Sequence, residues 1–152
     1  NTMLENVNYR STCHISSLLD IIGDKWSLLI IRDIFLDRNT YSEFLKSDER
    51  IATNILVDRI KKLKSLDLIF FHKKPDNNKT KYYYLTNKGI DLYPVICEMT
   101  LWSHKHLNLK EIPLLGTDLI NNIESKSLVH EISETVSDYQ RRREMLLCNQ
   151  DT

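Results

Sequence analysis

Between Arg59 and Lys81 the chain carries eight cations, Arg59, Lys61, Lys62, Lys64, Lys73, Lys74, Lys79 and Lys81, against two acids, Asp67 and Asp76. Ammonium and guanidinium groups at this density suit phosphate oxygens, which accept charge-assisted hydrogen bonds from them. The protein as a whole is neutral, with 21 cations and 21 acids, and residues 111–152 hold eight acids against four cations. A localised basic surface in an otherwise neutral-to-acidic chain is the expectation, with a solvated lysine-rich face as the plainer alternative.

Cys13-His14 is the other place where reactive groups meet. A thiol beside an imidazole suggests nucleophilic catalysis, but neighbours on one helix point about 100° apart, and no acid is placed to orient the ring. No Gly-rich phosphate loop or paired-carboxylate constellation occurs, so an enzyme is not expected. Cys13, Cys97 and Cys148 are odd in number and irregularly spaced, with no cysteine or histidine at zinc-finger intervals. Neither a disulfide framework nor a metal or other cofactor is expected.

The elements that must position the basic segment follow from periodicity. With 152 residues, 41% hydrophobic and 28% charged, the chain is sufficient for a real core. No apolar run approaches the ~20 residues of a membrane span, and the opening NTMLENVNYR lacks the apolar stretch of a secretory signal, so a cytoplasmic protein is expected. Ile15, Leu18, Leu19 and Ile22 trace one helix stripe ending at Gly23. Asp24 then caps a helix through Trp26, Leu29, Ile30, Ile34 and Phe35, and Thr40-x-x-Glu43 has capping-box spacing for a short third helix.

After the polar turn SDER, the segment ATNILVDRIKKLKSLD reads as a helix buried along Leu56, Ile60 and Leu63. Asn54, Val57, Asp58, Lys61 and Ser65 lie on its other face. Two helices joined by a short turn, the second presenting polar and cationic groups, are what a helix-turn-helix reader requires. LIFFHKK and TKYYYL follow as strands of a hairpin with PDNNK at its tip, where Asn77 and Asn78 tolerate the left-handed backbone a turn needs. A basic hairpin after a helix-turn-helix is a wing. Tyr82, Tyr83 and Tyr84 admit a base-stacking reading, but core packing of one strand face is the expectation.

Thr86 is placed to cap a further helix lined by Leu92, Val95, Ile96, Met99 and Trp102, with Pro94 kinking it. Pro113 and Gly116 break the pattern before one final helix, where Val129, Ile132, Val136, Tyr139 and Leu146 form an a/d series interrupted by Arg143. Such a stripe calls for a partner surface, and a second subunit is the expected one. The fold expected is mainly helical with a β-hairpin wing: a winged helix-turn-helix domain over 13–107 and a helical, dimerising extension over 108–152.

Several of these pieces together resemble the HxlR-type winged helix-turn-helix regulators, which are related to the MarR group. They are Cys13, IIGDKWSLLIIRDI over 21–34, YSEFL, LVDRIKKLKSLDLI, and LTNKG followed by LYPV and a tryptophan. The resemblance covers about Cys13 to Trp102. It implies sequence-specific binding of double-stranded DNA by a homodimer joined through the first and last helices, and an oxidant-sensing or electrophile-sensing cysteine at position 13 in some members. The chain departs from the family at His14, Ala52, Val57 and Phe70-Phe71-His72, which bears on the operator rather than on the fold.

The expected DNA-binding residues are Thr53, Asn54, Val57, Asp58, Arg59, Lys61 and Lys62 on the recognition helix and Lys73, Lys74, Asn77, Asn78 and Lys79 on the wing. Asn54 is suited to adenine and Lys61 to guanine acceptors, while Arg59, nearer the core side, is as suited to holding an internal acid as to touching phosphate. Cys13, at a helix start whose dipole favours a thiolate, is the candidate redox sensor, with an inert interface residue as the alternative. An oxidant or small molecule is the expected effector. The competing class is a winged-helix module that binds protein only, against which the basic segment argues.

Overall fold

The computed structural model describes residues 8–109 and 114–148, and the chain forms two units, Asn1–Ile90 and Asp91–Thr152. The first unit contains α1 (His14–Ile22), α2 (Ser27–Phe35), α3 (Tyr41–Leu45), α4 (Thr53–Ser65), β1 (Ile69–Lys74), β2 (Asn77–Leu85) and α5 (Asn87–Ile90). The second contains α6 (Tyr93–His106), α7 (Leu114–Lys126) and α8 (Leu128–Cys148).

The core of the first unit is built around α2, whose Ile30, Ile31, Ile34 and Phe35 are all buried, against Leu56, Ile60 and Leu63 of α4 and Phe44 of α3. Gly23 ends α1 with its N–H donating to the Leu19 carbonyl at 2.8 Å. Its φ is −74°, so left-handed freedom is not what the position uses. A Cβ here would lie 2.3 Å from the Leu19 carbonyl oxygen, and it is the missing side chain that matters.

Helices α2 and α4 stop in the same way, by a device that a search for glycine overlooks. Asp37 and Asp67 follow them at φ 57° and 56°. Asp37 and Arg38 donate back to Ile34 and Asp33, and Asp67 and Leu68 donate back to Lys64 and Leu63. Each pair closes a Schellman motif in which aspartate takes the left-handed place usually given to glycine.

Strands β1 and β2 form an antiparallel pair in the register Ile69 with Leu85, Phe71 with Tyr83 and His72 with Tyr82. The connecting turn is tighter than PDNNK. Lys74 already pairs with Asn77, and the pairing is irregular between His72 and Lys74. Asn77 and Asn78 are strand residues, and neither has positive φ.

Instead of one kinked helix after Thr86 there are two. Thr86 accepts the Gly89 amide over the short α5, and Pro94 sits in the first turn of α6. A first-turn proline gives up an N–H that has no helical acceptor anyway, so it starts the helix rather than bending it. The buried side of α6 is Tyr93 and Cys97, while Met99 and Trp102 are 54% and 60% exposed. The final helix is likewise two, divided at Ser127 with φ 95°, and Gly116 lies inside α7. Pro113 falls outside the described residues. On α8 Tyr139 is buried, but Val129 is 78% exposed. Glu131 is buried instead, accepting hydrogen bonds from the Thr135 hydroxyl at 3.0 Å and the Tyr93 hydroxyl at 3.4 Å. A buried carboxylate needs such donors, and a search for apolar stripes passes over it.

Candidate nucleic-acid interface

Two polar clusters fix α4 before its outer face is considered. In the first, Asp24 accepts the Trp26 and Ser27 amides at 2.9 and 3.0 Å and the Ser27 hydroxyl; α2 starts at Ser27 with Trp26 at its N-cap, so Asp24 holds the helix start from two positions before the N-cap and is not the N-cap expected. Its carboxylate also lies 3.3 Å from Arg59 Nη1 and 3.9 Å from Lys62 Nζ. Desolvation pushes the Asp24 carboxyl up, but the Ser27 hydroxyl, the Trp26 and Ser27 amides and the Arg59 charge outweigh it, leaving the pKa below the usual carboxylate range. Lys62 Nζ further donates to the Asp20 carbonyl at 3.2 Å. Lys62, expected beside the outer face, and Arg59, expected on either side, both reach back toward Asp24, and Lys62 also ties α4 to the end of α1. For Arg59 the internal alternative is the one realised, with Asp58 as a second partner at 2.6 Å.

The second cluster was not anticipated. Asp33 is 2% exposed on α2 and receives Arg32 at 2.8 Å, with Arg38 at 3.6 Å. Arg32 also reaches Glu49 at 2.7 Å, in the turn leading to α4. Desolvation dominates at Asp33 and raises its pKa despite the two arginines. At Glu49 the hydrogen bond from Arg32 dominates and lowers it. The available signal was an Arg-Asp pair inside the apolar run LLIIRDIF, since a charge on the inner face of a core helix must find a partner.

With these anchors set, Thr53, Asn54, Asp58 and Lys61 of α4 are exposed and Val57 is half-buried. On the wing Lys73, Asn78 and Lys79 are exposed. Asn77 is occupied by its own strand, donating to the Thr80 hydroxyl at 3.0 Å and accepting the Thr80 amide at 3.2 Å. Lys74 is half-buried with its ammonium 4.3 Å from the Tyr82 ring centroid. Tyr83 and Tyr84 are core residues: Tyr83 packs edge-on against Tyr41 at 5.6 Å and its amide donates to the Asn39 carbonyl at 2.7 Å. Burial pushes both phenols up. Base stacking on these two rings is therefore closed off. Lys64 and Lys81, absent from the expected DNA-binding residues, are both exposed and both lie over the Phe71 ring, 4.6 and 4.8 Å from its centroid.

Cys13 is exposed at the N-terminal boundary of α1, its carbonyl accepting the Ser17 amide and hydroxyl. Cys97 is the opposite case, buried with its thiol pushed up to about 11, chiefly by desolvation. Among the described residues no group of three or more His, Cys, Asp or Glu is arranged to hold a metal ion, and no helix is long and apolar enough to cross a membrane.

The sequence and fold of this region recur in known proteins. The chain is 26% identical over 87 residues to the HTH-type transcriptional regulator sll1512 of Synechocystis, covering 57% of this chain and 64% of that relative. To the regulator YodB of Bacillus subtilis it is 26% identical over 89 residues, 59% of this chain and 80% of the relative. Among solved structures, PA1607, a candidate transcription factor, superimposes with a TM-score of 0.60 at 30% identity, covering 68% of this chain and 72% of that one. A candidate MarR-family regulator from Porphyromonas gingivalis W83 gives 0.57 at 28% identity, covering 64% and 95%. The family model for the HxlR-like helix-turn-helix matches residues 21–111, from the end of α1 through the whole winged region. With Asp24, α4 and the hairpin all inside that match, the chain belongs to the HxlR-like helix-turn-helix family, whose members are transcriptional regulators and not enzymes.

Proposed function

We propose that the protein is a cytoplasmic, homodimeric transcription regulator that places α4 of each subunit in the major groove of a pseudo-palindromic operator and its wing on the flanking backbone. The observation that carries this reading is the sorting of the basic segment. Arg59 and Lys62 share the Asp24 carboxylate between them, while Asn54, Lys61, Lys73 and Lys79 are exposed. A protein-only interaction module has no need of that sorting. Besides Val129 and Leu146 of α8, helices α1 and α6 leave apolar side chains uncovered, Ile15 and Leu19 at 72% and 53% and Met99 and Trp102 at 54% and 60%. In this reading a second copy covers them, and the domain division at 13–107 and 108–152 separates DNA binding from added dimer contact.

Selection of bound duplexes from a random pool at low salt tests the proposal. An enriched pseudo-palindrome with half-site centres about 34–36 Å apart, or a multiple of that, is expected. Replacing Lys73, Lys74 and Lys79 with alanine weakens binding to every sequence and flattens the salt dependence, by about 0.9 in log–log slope for each phosphate no longer neutralised. A pool with no enrichment rejects the reading. Cys13, exposed at the start of α1, is the thiol through which an oxidant would act. Mild oxidant then alters DNA affinity in the wild type and not in Cys13→Ser. Equal responses in both assign the signal to a small molecule instead.

A further inference from the structure

At the start of the wing, in Phe70-Phe71-His72, stands a ring with two cations near it. Lys64 comes from the last turn of α4 and Lys81 from β2, and their ammonium groups lie 4.6 and 4.8 Å from the Phe71 centroid. Among the described residues neither ammonium has a carboxylate or carbonyl partner, in contrast to Lys62. The ring face attracts each cation but leaves its charge unneutralised, so both ammonium groups remain open to an anion. Each ammonium carries three donors and uses none of them as a conventional hydrogen bond here, so all are available to oxygen acceptors. Phe71 itself is held by the hairpin register opposite Tyr83, with ring centroids 6.2 Å apart, and is not a freely moving platform.

We propose that Lys64 and Lys81, gathered over Phe71, form a backbone-phosphate clamp between the end of the recognition helix and the wing. Phe71 acts as its positioning residue. The clamp rests on the DNA-binding reading, and it adds two phosphate ligands and one aromatic residue that charge counting along the chain did not single out. Its ligand is the phosphodiester itself, so it contributes to affinity and register without reading bases. Pre-ordering two long side chains lowers the entropy cost of binding.

The test uses the full chain and a duplex it selects. Lys64→Gln with Lys81→Gln should lower the log–log salt slope by about 1.8, two phosphates at about 0.9 each. Phe71→Leu keeps an apolar side chain but removes the quadrupole, and should weaken binding about two- to five-fold. The same substitution in the Lys64→Gln, Lys81→Gln background should change affinity by less than about 1.5-fold, because nothing is left to position. Phe71→Tyr, which retains a ring, should bind as the wild type does, and thermal unfolding of each variant reports whether its fold is intact. An unchanged salt slope in the double lysine variant overturns the clamp while leaving DNA binding standing. An equal loss from Phe71→Leu in both backgrounds overturns the positioning role and leaves Phe71 a packing residue. Failure of the wild type to bind any duplex overturns both readings together.

Discussion

Helix α4 buries Leu56, Ile60 and Leu63 to 2% exposure or less, whereas α8, with an apolar series of similar period, leaves Val129 at 78% and Leu146 at 41%. The two sequences are patterned alike, and what differs is the surface offered to them. The α4 stripe meets a core that its own unit completes, and α4 is further pinned at Asp24. The α8 stripe is only partly covered, with Tyr139 inside and Val129 and Leu146 outside. Periodicity states that a helix has an apolar face; it does not state whether the same chain covers it.

The largest effect that sharpens this contrast is at Leu63. Leu63→Ala should cost about 2–5 kcal/mol in denaturant unfolding, since the site is fully enclosed. Val129→Ser should cost under about 0.5 kcal/mol in the dissociated subunit and act, if at all, on association, measured by sedimentation across a dilution series. Comparable unfolding costs at the two positions would erase the distinction. Next in size, Asn54→Ala should leave stability unchanged and reduce discrimination at one base pair by about 1–3 kcal/mol, read by competition between operator variants. Uniform weakening across all variants would make Asn54 a backbone contact.

A smaller effect tests the anchor that distinguishes α4. Asp24→Asn should lower stability at pH 7 by about 1 kcal/mol. The folded pKa of Asp24 lies below its usual value, so its contribution is present above the carboxylate range and is lost as pH falls through the folded value. The gap between wild type and variant should therefore close below about pH 4. A gap independent of pH would assign the effect to geometry rather than charge. The smallest change is at Pro94. Pro94→Ala should shift stability by less than about 1 kcal/mol, while a stabilisation near 3 kcal/mol in a thermal melt would mean the proline had been straining a helix interior.

These elements also mark how far the sequence could be read. The first four helices, the hairpin and the buried line of α4 followed from period and caps, because each is decided by residues within a turn or two of one another. Asp37 and Asp67 as helix stops were missed because the same residue type serves equally as a cap, a turn or a surface charge. The inward engagement of Lys62 depends on Asp20 and Asp24, about forty positions earlier, and no local pattern reports such a pairing. Arg59 was readable only as an alternative, its place on the helix wheel allowing either side. The Lys64 and Lys81 pair required the hairpin register, which sets β2 against β1, the strand that carries Phe71.

The separation between inward and outward residues of α4 has a consequence for how such a protein diverges. Asn54 and Lys61 have no folding duty among the described residues, whereas Arg59 and Lys62 hold the helix to its neighbours. Under the proposed function, mutations at the first pair are filtered by the operator and those at the second by the fold. Gene duplicates descending from such a chain can therefore acquire new operators one substitution at a time without passing through unstable intermediates, while the Asp24–Arg59 link stays constant among copies that no longer share any target.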